Sequence, residues 1–313
     1  MAVEQGTSGA VVRAGSPAAW AAAVRPRTLL VAVSPVLVGA AFGWQRTGSL
    51  DPVVSLVILA TALLMQVVTN MQNDVGYTVR GGESSGTRTG LPRATALGWL
   101  GVGTVRLAIV LVAALAAALG LVLFARCGWP VLAIGVSSLI AALAYMGGPR
   151  PIAYSPYGEL TVFVFFGLVA VMGTDWVLTG GIGAATVVAA VALGALAAAA
   201  LAVNNHRDLA HDAQVGRRTF AVTFGSARSR QMFAVLLLGP FALTPVIAWF
   251  AASPMLMLPC LMLPVALTLW HDFVRCPPGV AFNKILFRTF KLELAFAMWL
   301  AGGAVLGRLW SAT

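Results

Sequence analysis

The fold is decided by residues 182–219, which read IGAATVVAAVALGALAAAALAVNNHRDLAHDAQVGRRT. The first part, residues 182–203, has no charged side chain and is long enough for a helix to cross the ~30 Å hydrocarbon layer of a membrane. The second part, residues 204–219, is rich in aspartate, histidine and arginine. The stretch therefore predicts a membrane-spanning helix that ends in a polar cluster at one membrane surface.

The whole chain shares this apolar character. Of its 313 residues, 59% are hydrophobic and 10% are charged, and the mean hydropathy is +0.90. Soluble domains carry about 25% charged residues, so this chain could not cover a water-facing surface. The apolar stretches lie near 28–44, 53–72, 97–124, 129–146, 158–178, 182–203, 231–252, 254–270 and 293–311. They predict an all-α, polytopic membrane protein with nine transmembrane helices.

The basic residues predict the orientation in the membrane. If the N-terminus is cytosolic, all of the 20 Lys and Arg residues except Arg46, Arg126 and Arg308 fall on the cytosolic side. This asymmetry is typical of multi-pass proteins. We therefore expect a protein of the inner (cytoplasmic) membrane, surrounded by the lipid bilayer, with its C-terminus on the outer side. The basic residues are spread through short loops, so the net charge of +10 does not indicate a nucleic-acid partner.

Two polar clusters follow the second and sixth apolar stretches, both on the expected cytosolic side. The first covers residues 70–80 (NMQNDVGYTVR), and the second covers residues 204–219. A four-residue spacing places polar side chains on one helical face within each cluster: Asn70 and Asp74 in the first, and Asn204, Asp208 and Asp212 in the second.

Oxygen ligands followed by arginines suit a magnesium diphosphate. Mg²⁺ takes one or two carboxylates together with substrate phosphate oxygens, and guanidinium groups neutralise the remaining phosphate charge. Solvated helix ends with ordinary cytosolic arginines would explain either cluster alone. Two matching clusters on the same side favour a shared site.

The clusters also predict the domain organisation. Residues 1–19 are expected to form a disordered cytosolic tail, and residues 20–313 a single transmembrane domain. Two four-helix halves, about 20–150 and 151–275, would each end their second helix in a polar cluster, with a last helix at about 293–311. Internal repeats with a site at their interface recur in membrane proteins.

Several segments together resemble a known family: residues 25–29, 70–81, 147–154, 158–160 and 204–219. They are similar to the UbiA superfamily of intramembrane prenyltransferases and, within it, to the 1,4-dihydroxy-2-naphthoate prenyltransferases of menaquinone synthesis. The resemblance covers most of the chain from Arg25 onward. It implies a single prenyltransferase domain that uses Mg²⁺ to transfer a polyprenyl group from polyprenyl diphosphate to an aromatic acceptor, with 1,4-dihydroxy-2-naphthoate expected.

The resemblance implies roles for individual residues. Those expected to bind Mg²⁺ are Asn70, Asp74, Asn204, Asp208 and Asp212, of which the three aspartates are the expected catalytic residues. Those expected to bind the diphosphate are Asn73, Arg80, Arg88, Arg150, Arg207 and Arg217. Three tyrosines are expected to contact the acceptor or the prenyl group: Tyr77, Tyr145 and Tyr154.

The first cluster departs from the family pattern. Tyr77 and Thr87 stand where family members carry acids, so Asp74 is the aligned acid and Glu83 is a possible substitute. The departure predicts weaker metal binding and leaves the naphthoate acceptor open. Two interpretations of position 77 stay open. Either the acid was simply lost there, or the tyrosine was recruited to contact this protein's own substrate.

Other functions also stay open. The same ionisation chemistry serves UbiA-type enzymes with another aromatic acceptor and intramembrane terpene cyclases. A transporter is the remote alternative, because its midplane would hold paired charges or broken helices, whereas the charges here lie at helix ends.

Overall fold

The computed structural model describes residues 12–82 and 89–311. Within these ranges the chain is helical without strands, and nine helices are long and apolar enough to cross a membrane. We number them α1 to α9: Pro17–Thr47, Pro52–Val79, Val102–Cys127, Trp129–Met146, Gly158–Thr179, Ala184–Arg207, Phe220–Phe250, Pro254–Arg275 and Phe282–Trp310. The predicted all-α, polytopic architecture is confirmed.

Several helices run beyond their apolar stretches at the end that carries the polar clusters. α2 continues to Val79, α7 begins at Phe220 and α9 begins at Phe282. These extensions add about two to three turns each. A helix end at the level of the lipid headgroups needs no apolar side chains, so hydropathy alone places these boundaries too close to the membrane centre.

The N-terminal segment is more ordered than expected. A helical turn begins at Pro17, with the Ser16 hydroxyl accepting a hydrogen bond from the Ala19 N–H at 3.3 Å. Just before it, the Gly15 N–H donates to the Trp99 carbonyl at 2.9 Å. The expectation of a disordered tail is therefore wrong for residues 17–19, and residues 1–11 lie outside the described ranges. α1 then bends at Arg25, whose φ is 55°.

The buried side chains form two main cores. One lies among α2, α3, α4 and the first turns of α1, around Met71 and Val105. The other lies among α5 to α9 and the long part of α1, around Phe233, Phe273 and Phe296. α9 packs along α1 and thereby closes the bundle. The long part of α1 thus belongs to the later core, and the two-half organisation stays a prediction.

α6 is the central helix, and its small residues let neighbours approach closely. A Cβ added at Gly167 of α5 would lie 2.5 Å from the Cα of Gly194 on α6, so neither position has room for a side chain. Close contact through small residues is a common way to pack membrane helices. α5 also widens into a π-helical stretch at Phe163–Met172, a distortion often found beside functional sites.

The three arginines expected outside lie at the end of the bundle opposite to the polar clusters. Arg46 pairs with buried Asp175 at 3.0 Å, and Arg126 pairs with Asp51 at 3.1 Å. Arg308 donates to the Gln45 carbonyl at 2.7 Å. Their common location agrees with the up-and-down course of the nine helices.

Candidate functional site

A long cavity of about 490 Å³ runs between α1, α2, α3, α4, α5 and α6. Ile58 and Asn73 on α2 both line it, and 15 residues of helix correspond to about 22 Å. Most of its lining is apolar, and Arg25 is the one charged side chain that lines it within the described ranges. The hydroxyl residues Thr61, Ser138 and Thr174 lie further along it, whereas its amide side chains and its tyrosine gather at one end: Gln66, Asn70, Asn73, Tyr145 and Asn204. The cavity thus suits a ligand with a long apolar body and a polar head.

The second polar cluster forms a helical break at the polar end of this cavity. α6 ends at Arg207, and the short helix Leu209–Gln214 follows. The expected continuous helix is therefore wrong at Asp208. Backbone hydrogen bonds from Asp208 to Asn204 (3.0 Å) and from Asp212 to Asp208 (2.7 Å) nevertheless keep the four-residue spacing through the turn.

The two aspartates of this cluster have different partners. Both Asp208 oxygens accept hydrogen bonds from the neighbouring Arg207, at 2.9 and 2.6 Å. Asp212 is fully buried, and its Oδ1 lies 2.6 Å from Nη1 of Arg217. Its Oδ2 has no hydrogen-bond partner among the residues that the structure describes. Burial raises the pKa of the Asp212 carboxyl, and the Arg217 guanidinium opposes this rise.

Tyr77 connects the first cluster to the second. It is 3% exposed, and its hydroxyl accepts a hydrogen bond from Arg217. Two guanidinium groups also lie near its ring, Arg93 at 3.6 Å and Arg217 at 4.9 Å from the ring centroid. Such contacts are attractive because the face of an aromatic ring is electron-rich. The residue that breaks the family pattern therefore lies in contact with two arginines, one from the loop after the first cluster and one from the second cluster.

Asp74 holds a loop against the end of α2. Its Oδ2 accepts from the Ala94 N–H at 2.9 Å, and its Oδ1 accepts from the Thr95 N–H at 2.8 Å and the Thr95 hydroxyl at 2.5 Å. The carboxylate thus anchors the segment that follows residue 89. Its role as a Mg²⁺ ligand stays a prediction, and these hydrogen bonds would have to be shared or released.

The asparagines of the first cluster separate into two environments. The Asn70 amide donates to the Val24 carbonyl at 2.7 Å and to the Thr28 hydroxyl at 2.8 Å, so it ties α2 to the bend of α1. Asn73 lines the cavity, and its backbone carbonyl accepts a hydrogen bond from Arg93 at 2.8 Å. The sequence did not predict Arg93 as a site residue, because no helical periodicity fixes the path of the loop that carries it.

The predicted diphosphate residues are only partly gathered. Arg217 lies at the centre, and Arg80 lies 5.4 Å from the ring of Tyr154 while donating to the carbonyls of Met146 and Gly148. Arg207 donates to Asn283 at 2.6 Å as well as to Asp208. Arg150 is exposed at the surface of its loop.

The remaining predicted residues fall into three places. Arg88 lies outside the described ranges, as do Glu83 and Thr87. Tyr145 is buried and lines the cavity, and Tyr154 lies with its ring centroid 5.7 Å from the Arg217 guanidinium.

The donor set can accommodate Mg²⁺ at the second cluster. Oδ2 of Asp212 is buried and unpartnered in the described part of the chain, and Asn204 lies one turn before Asp208 on the cavity wall. Within those residues there is no group of three or more acids, histidines or cysteines arranged for a metal. This fits a magnesium ion that uses few protein ligands and completes its shell with phosphate oxygens.

A helical bundle of membrane-spanning length, with a mostly apolar cavity that reaches Asn204 at the start of the cluster with the buried Asp212–Arg217 pair, is typical of intramembrane enzymes for lipid-like substrates. Comparison with known proteins specifies the class. The chain belongs to the UbiA prenyltransferase family, whose sequence profile matches residues 32–290. It is therefore an enzyme that transfers prenyl groups.

Individual relatives support this assignment. The chain is 35% identical over 227 residues to the 1,4-dihydroxy-2-naphthoate octaprenyltransferase of Escherichia coli K12, covering 71% of this chain and 73% of the relative. It is 32% identical over 301 residues to the enzyme of the same name from Mycobacterium tuberculosis, covering 93% and 98%. Its fold is similar to that of a UbiA homolog from Archaeoglobus fulgidus bound to DMAPP and Mg²⁺, with a TM-score of 0.66, 15% identity and coverage of 92% and 99%.

Tyr77→Phe is expected to lower turnover about tenfold, because a hydrogen bond to a charged group is lost while the ring stays near both guanidinium groups. Tyr77→Asp restores an acid one turn from Asp74 but loses the ring, and we expect a larger loss. Titrating rate against Mg²⁺ for both variants and the wild type measures these effects. Identical curves for all three would place Tyr77 outside the site, and tighter metal binding with a faster rate in Tyr77→Asp would mean that the acid was merely lost.

Proposed function

We propose that the protein transfers a polyprenyl group from its diphosphate to 1,4-dihydroxy-2-naphthoate in a Mg²⁺-dependent reaction. The observation that carries this proposal is the cavity, which is mostly apolar and reaches Asn204, the first residue of the cluster that holds the buried Asp212–Arg217 pair. The names of the relatives that are 32–35% identical favour the naphthoate as acceptor and an octaprenyl-sized tail as donor. The expected substrates are thus a polyprenyl diphosphate and an aromatic ring.

In this function the leaving group lies at the second cluster. Asp212 and Asn204 would hold Mg²⁺, and the bound ion would supply Lewis-acid stabilisation of the departing diphosphate. Arg93 and Arg217 place positive charge around the same region, and Tyr77 keeps both guanidinium groups in position. Stabilising charge that develops on the leaving group is the main catalytic effect available here.

The cavity wall has a second task, which is to keep water from the allylic cation. The apolar faces of α3, α4 and α5 surround the region where the prenyl tail would lie. Excluding water protects reactive intermediates from hydrolysis. The ring carbon of the acceptor then forms the new C–C bond, and the electron pair of the broken C–O bond leaves with the diphosphate. To restore the aromatic ring, that carbon loses its own substituent, which is carbon dioxide at the carboxylated carbon of the naphthoate and a proton at an unsubstituted carbon.

The proposed orientation places this site at the cytosolic face of the inner membrane. The N-terminus would be cytosolic and the C-terminus on the outer side, because the basic residues other than Arg46, Arg126 and Arg308 belong to the end with the polar clusters. A water-soluble acceptor would then reach the site from the cytosol, and the prenyl tail from the bilayer.

Incubating the purified protein with farnesyl diphosphate and Mg²⁺, with and without 1,4-dihydroxy-2-naphthoate, tests the function. We expect pyrophosphate release that depends on the acceptor and a prenylated product identified by mass. Release without acceptor would indicate a terpene cyclase, and product with a different aromatic ring alone would indicate another acceptor. No release with any acceptor would contradict prenyl transfer and reopen the transporter alternative.

Removing divalent metal with EDTA is expected to stop the reaction, and adding Mg²⁺ is expected to restore it. Since Tyr77 replaces an acid of the family pattern, the Mg²⁺ concentration for half-maximal rate should exceed that of the Escherichia coli relative measured in parallel. Full activity in metal-free buffer would contradict the role of Mg²⁺ in the departure of the diphosphate.

A further inference from the structure

Glu159 is a buried carboxylate that the chemistry described above does not use. It lies in the first turn of α5 and is 5% exposed. Its Oε1 accepts a hydrogen bond from the Asn205 amide at 2.8 Å. Its Oε2 has no hydrogen-bond partner among the residues that the structure describes. Leaving a buried carboxylate oxygen without a donor costs free energy, so this atom is suited to a donor that a ligand brings.

The surroundings of Glu159 connect it to the polar end of the cavity. The hydroxyl of Tyr145, a lining residue, lies 3.5 Å from the position that a Cβ on Gly158 would occupy. Thr161, on the same turn of α5, also lines the cavity. Asn205, which holds Oε1, directly follows the lining residue Asn204 on α6. Glu159 is therefore buried directly behind the cavity wall that these lining residues form, and not at the lipid-facing surface.

Glu159 also lies close to the proposed diphosphate position. The carboxylate interacts electrostatically with Arg217 and Asp212. If the tail fills the apolar cavity and the diphosphate lies at Asp212 and Arg217, then the carbon that exchanges oxygen for the acceptor ring lies between the two. An acceptor must reach that carbon at the polar end of the cavity, where the lining residue Tyr145 adjoins the turn that carries Glu159.

We infer that Glu159 binds the aromatic acceptor, with Oε2 accepting a hydrogen bond from a ring hydroxyl. This inference rests on the proposed function. The Asn205 amide fixes the carboxylate, so Oε2 is positioned before the acceptor arrives. A carboxylate at the hydroxyl orients the ring and increases its electron density, which favours attack by a ring carbon. It also selects rings with a free hydroxyl, because a methyl ether leaves the buried oxygen unpaired.

Comparing Glu159→Gln with the wild type tests this inference. Glutamine has the same shape and can still accept from Asn205, but it places an amide where the ring hydroxyl must donate. With farnesyl diphosphate as donor, we expect the KM for 1,4-dihydroxy-2-naphthoate to rise about tenfold or more. The KM for farnesyl diphosphate should stay unchanged. The wild-type preference for the free naphthoate over its two monomethyl ethers should largely disappear in the variant.

Asp175→Asn is the matched control. It removes another buried carboxylate from α5, at the opposite end, where Asp175 pairs with Arg46 and accepts from Thr186 at 2.6 Å. We expect this variant to be less stable but to keep both the acceptor KM and the preference for free hydroxyls. An equal change in the two variants would indicate a general effect of loosening α5 and would overturn the inference.

Further outcomes separate this inference from the proposed function. If the wild type transfers the prenyl group and Glu159→Gln keeps the wild-type acceptor KM and ether discrimination, the inference is wrong and the function stands. If the wild type transfers to no hydroxylated ring, both are wrong. Should Glu159→Gln fail to fold, Glu159→Asp withdraws the carboxylate by one methylene and is expected to raise the acceptor KM alone; an unchanged KM would overturn the inference.

Discussion

Replacing Asp212 with asparagine is expected to lower turnover by about 100-fold or more while the protein stays folded. Asparagine keeps the shape of the side chain and can still accept a hydrogen bond from Arg217, whose Nη1 lies 2.6 Å from Oδ1. It lacks the negative charge that Oδ2 would offer to Mg²⁺ in the proposed function. The loss should therefore fall on the ionisation of the diphosphate.

Steady-state rates at saturating Mg²⁺ measure this effect, with thermal stability as the check on folding. The matched control is Asp272→Asn. It removes a half-exposed carboxylate of α8 that pairs with Arg288 of α9, outside the site. We expect the control to keep the wild-type rate. A wild-type rate in Asp212→Asn would exclude Asp212 as a metal ligand.

Replacing Arg217 with methionine is expected to lower turnover by a similar factor and to change the pH dependence of kcat/KM. Removing one partner of a buried ion pair typically lowers the free energy of unfolding by about 3–5 kcal/mol. Arg217 also donates to Tyr77 and to the Ala153 carbonyl. Burial already raises the pKa of Asp212, and without Arg217 it should rise further. Because the charged carboxylate is the active form, activity is lost as the pH falls through this pKa. The acidic limb of the profile should therefore move to higher pH.

The pH profile of kcat/KM for the prenyl diphosphate tests this prediction. Arg218→Met is the matched control, since Arg218 is adjacent but exposed. The control should keep both the rate and the position of the acidic limb. A limb that stays in place in Arg217→Met would show that the pair does not set the protonation of Asp212.

The sequence predicts the membrane-spanning core of this fold well because burial in lipid depends on the length of an apolar run. It predicts helix ends poorly, since the first turns of α7 and α9 carry polar and charged side chains that lower the mean hydropathy of the run. The helical segment Pro17–Val24 was also missed, because local sequence alone does not determine it. It is stabilised by tertiary contacts such as that between Gly15 and Trp99.

For the site, four-residue spacing correctly gathers residues that lie along one stretch of helix. It cannot predict which distant segment completes a side chain's hydrogen bonds. The spacing therefore did not predict that Ala94 and Thr95 donate hydrogen bonds to the oxygens of Asp74, whose role as a metal ligand stays a prediction. Nothing in the sequence indicated that Arg93 lies over the Tyr77 ring or that Glu159 pairs with Asn205, because a loop path and a helix start set these contacts.

The small residues along the cavity wall have an evolutionary consequence. Ala113, Ala116, Ala117 and Gly120 of α3 line the cavity, whereas the residues proposed to ionise the diphosphate lie mainly at 204–217. Substituting a larger side chain at one of these α3 positions would shorten the space for the tail without touching the reacting end. In the proposed function, the gene would encode the length of the tail and the chemistry of its transfer in separate stretches, so selection could adjust one trait while leaving the other intact.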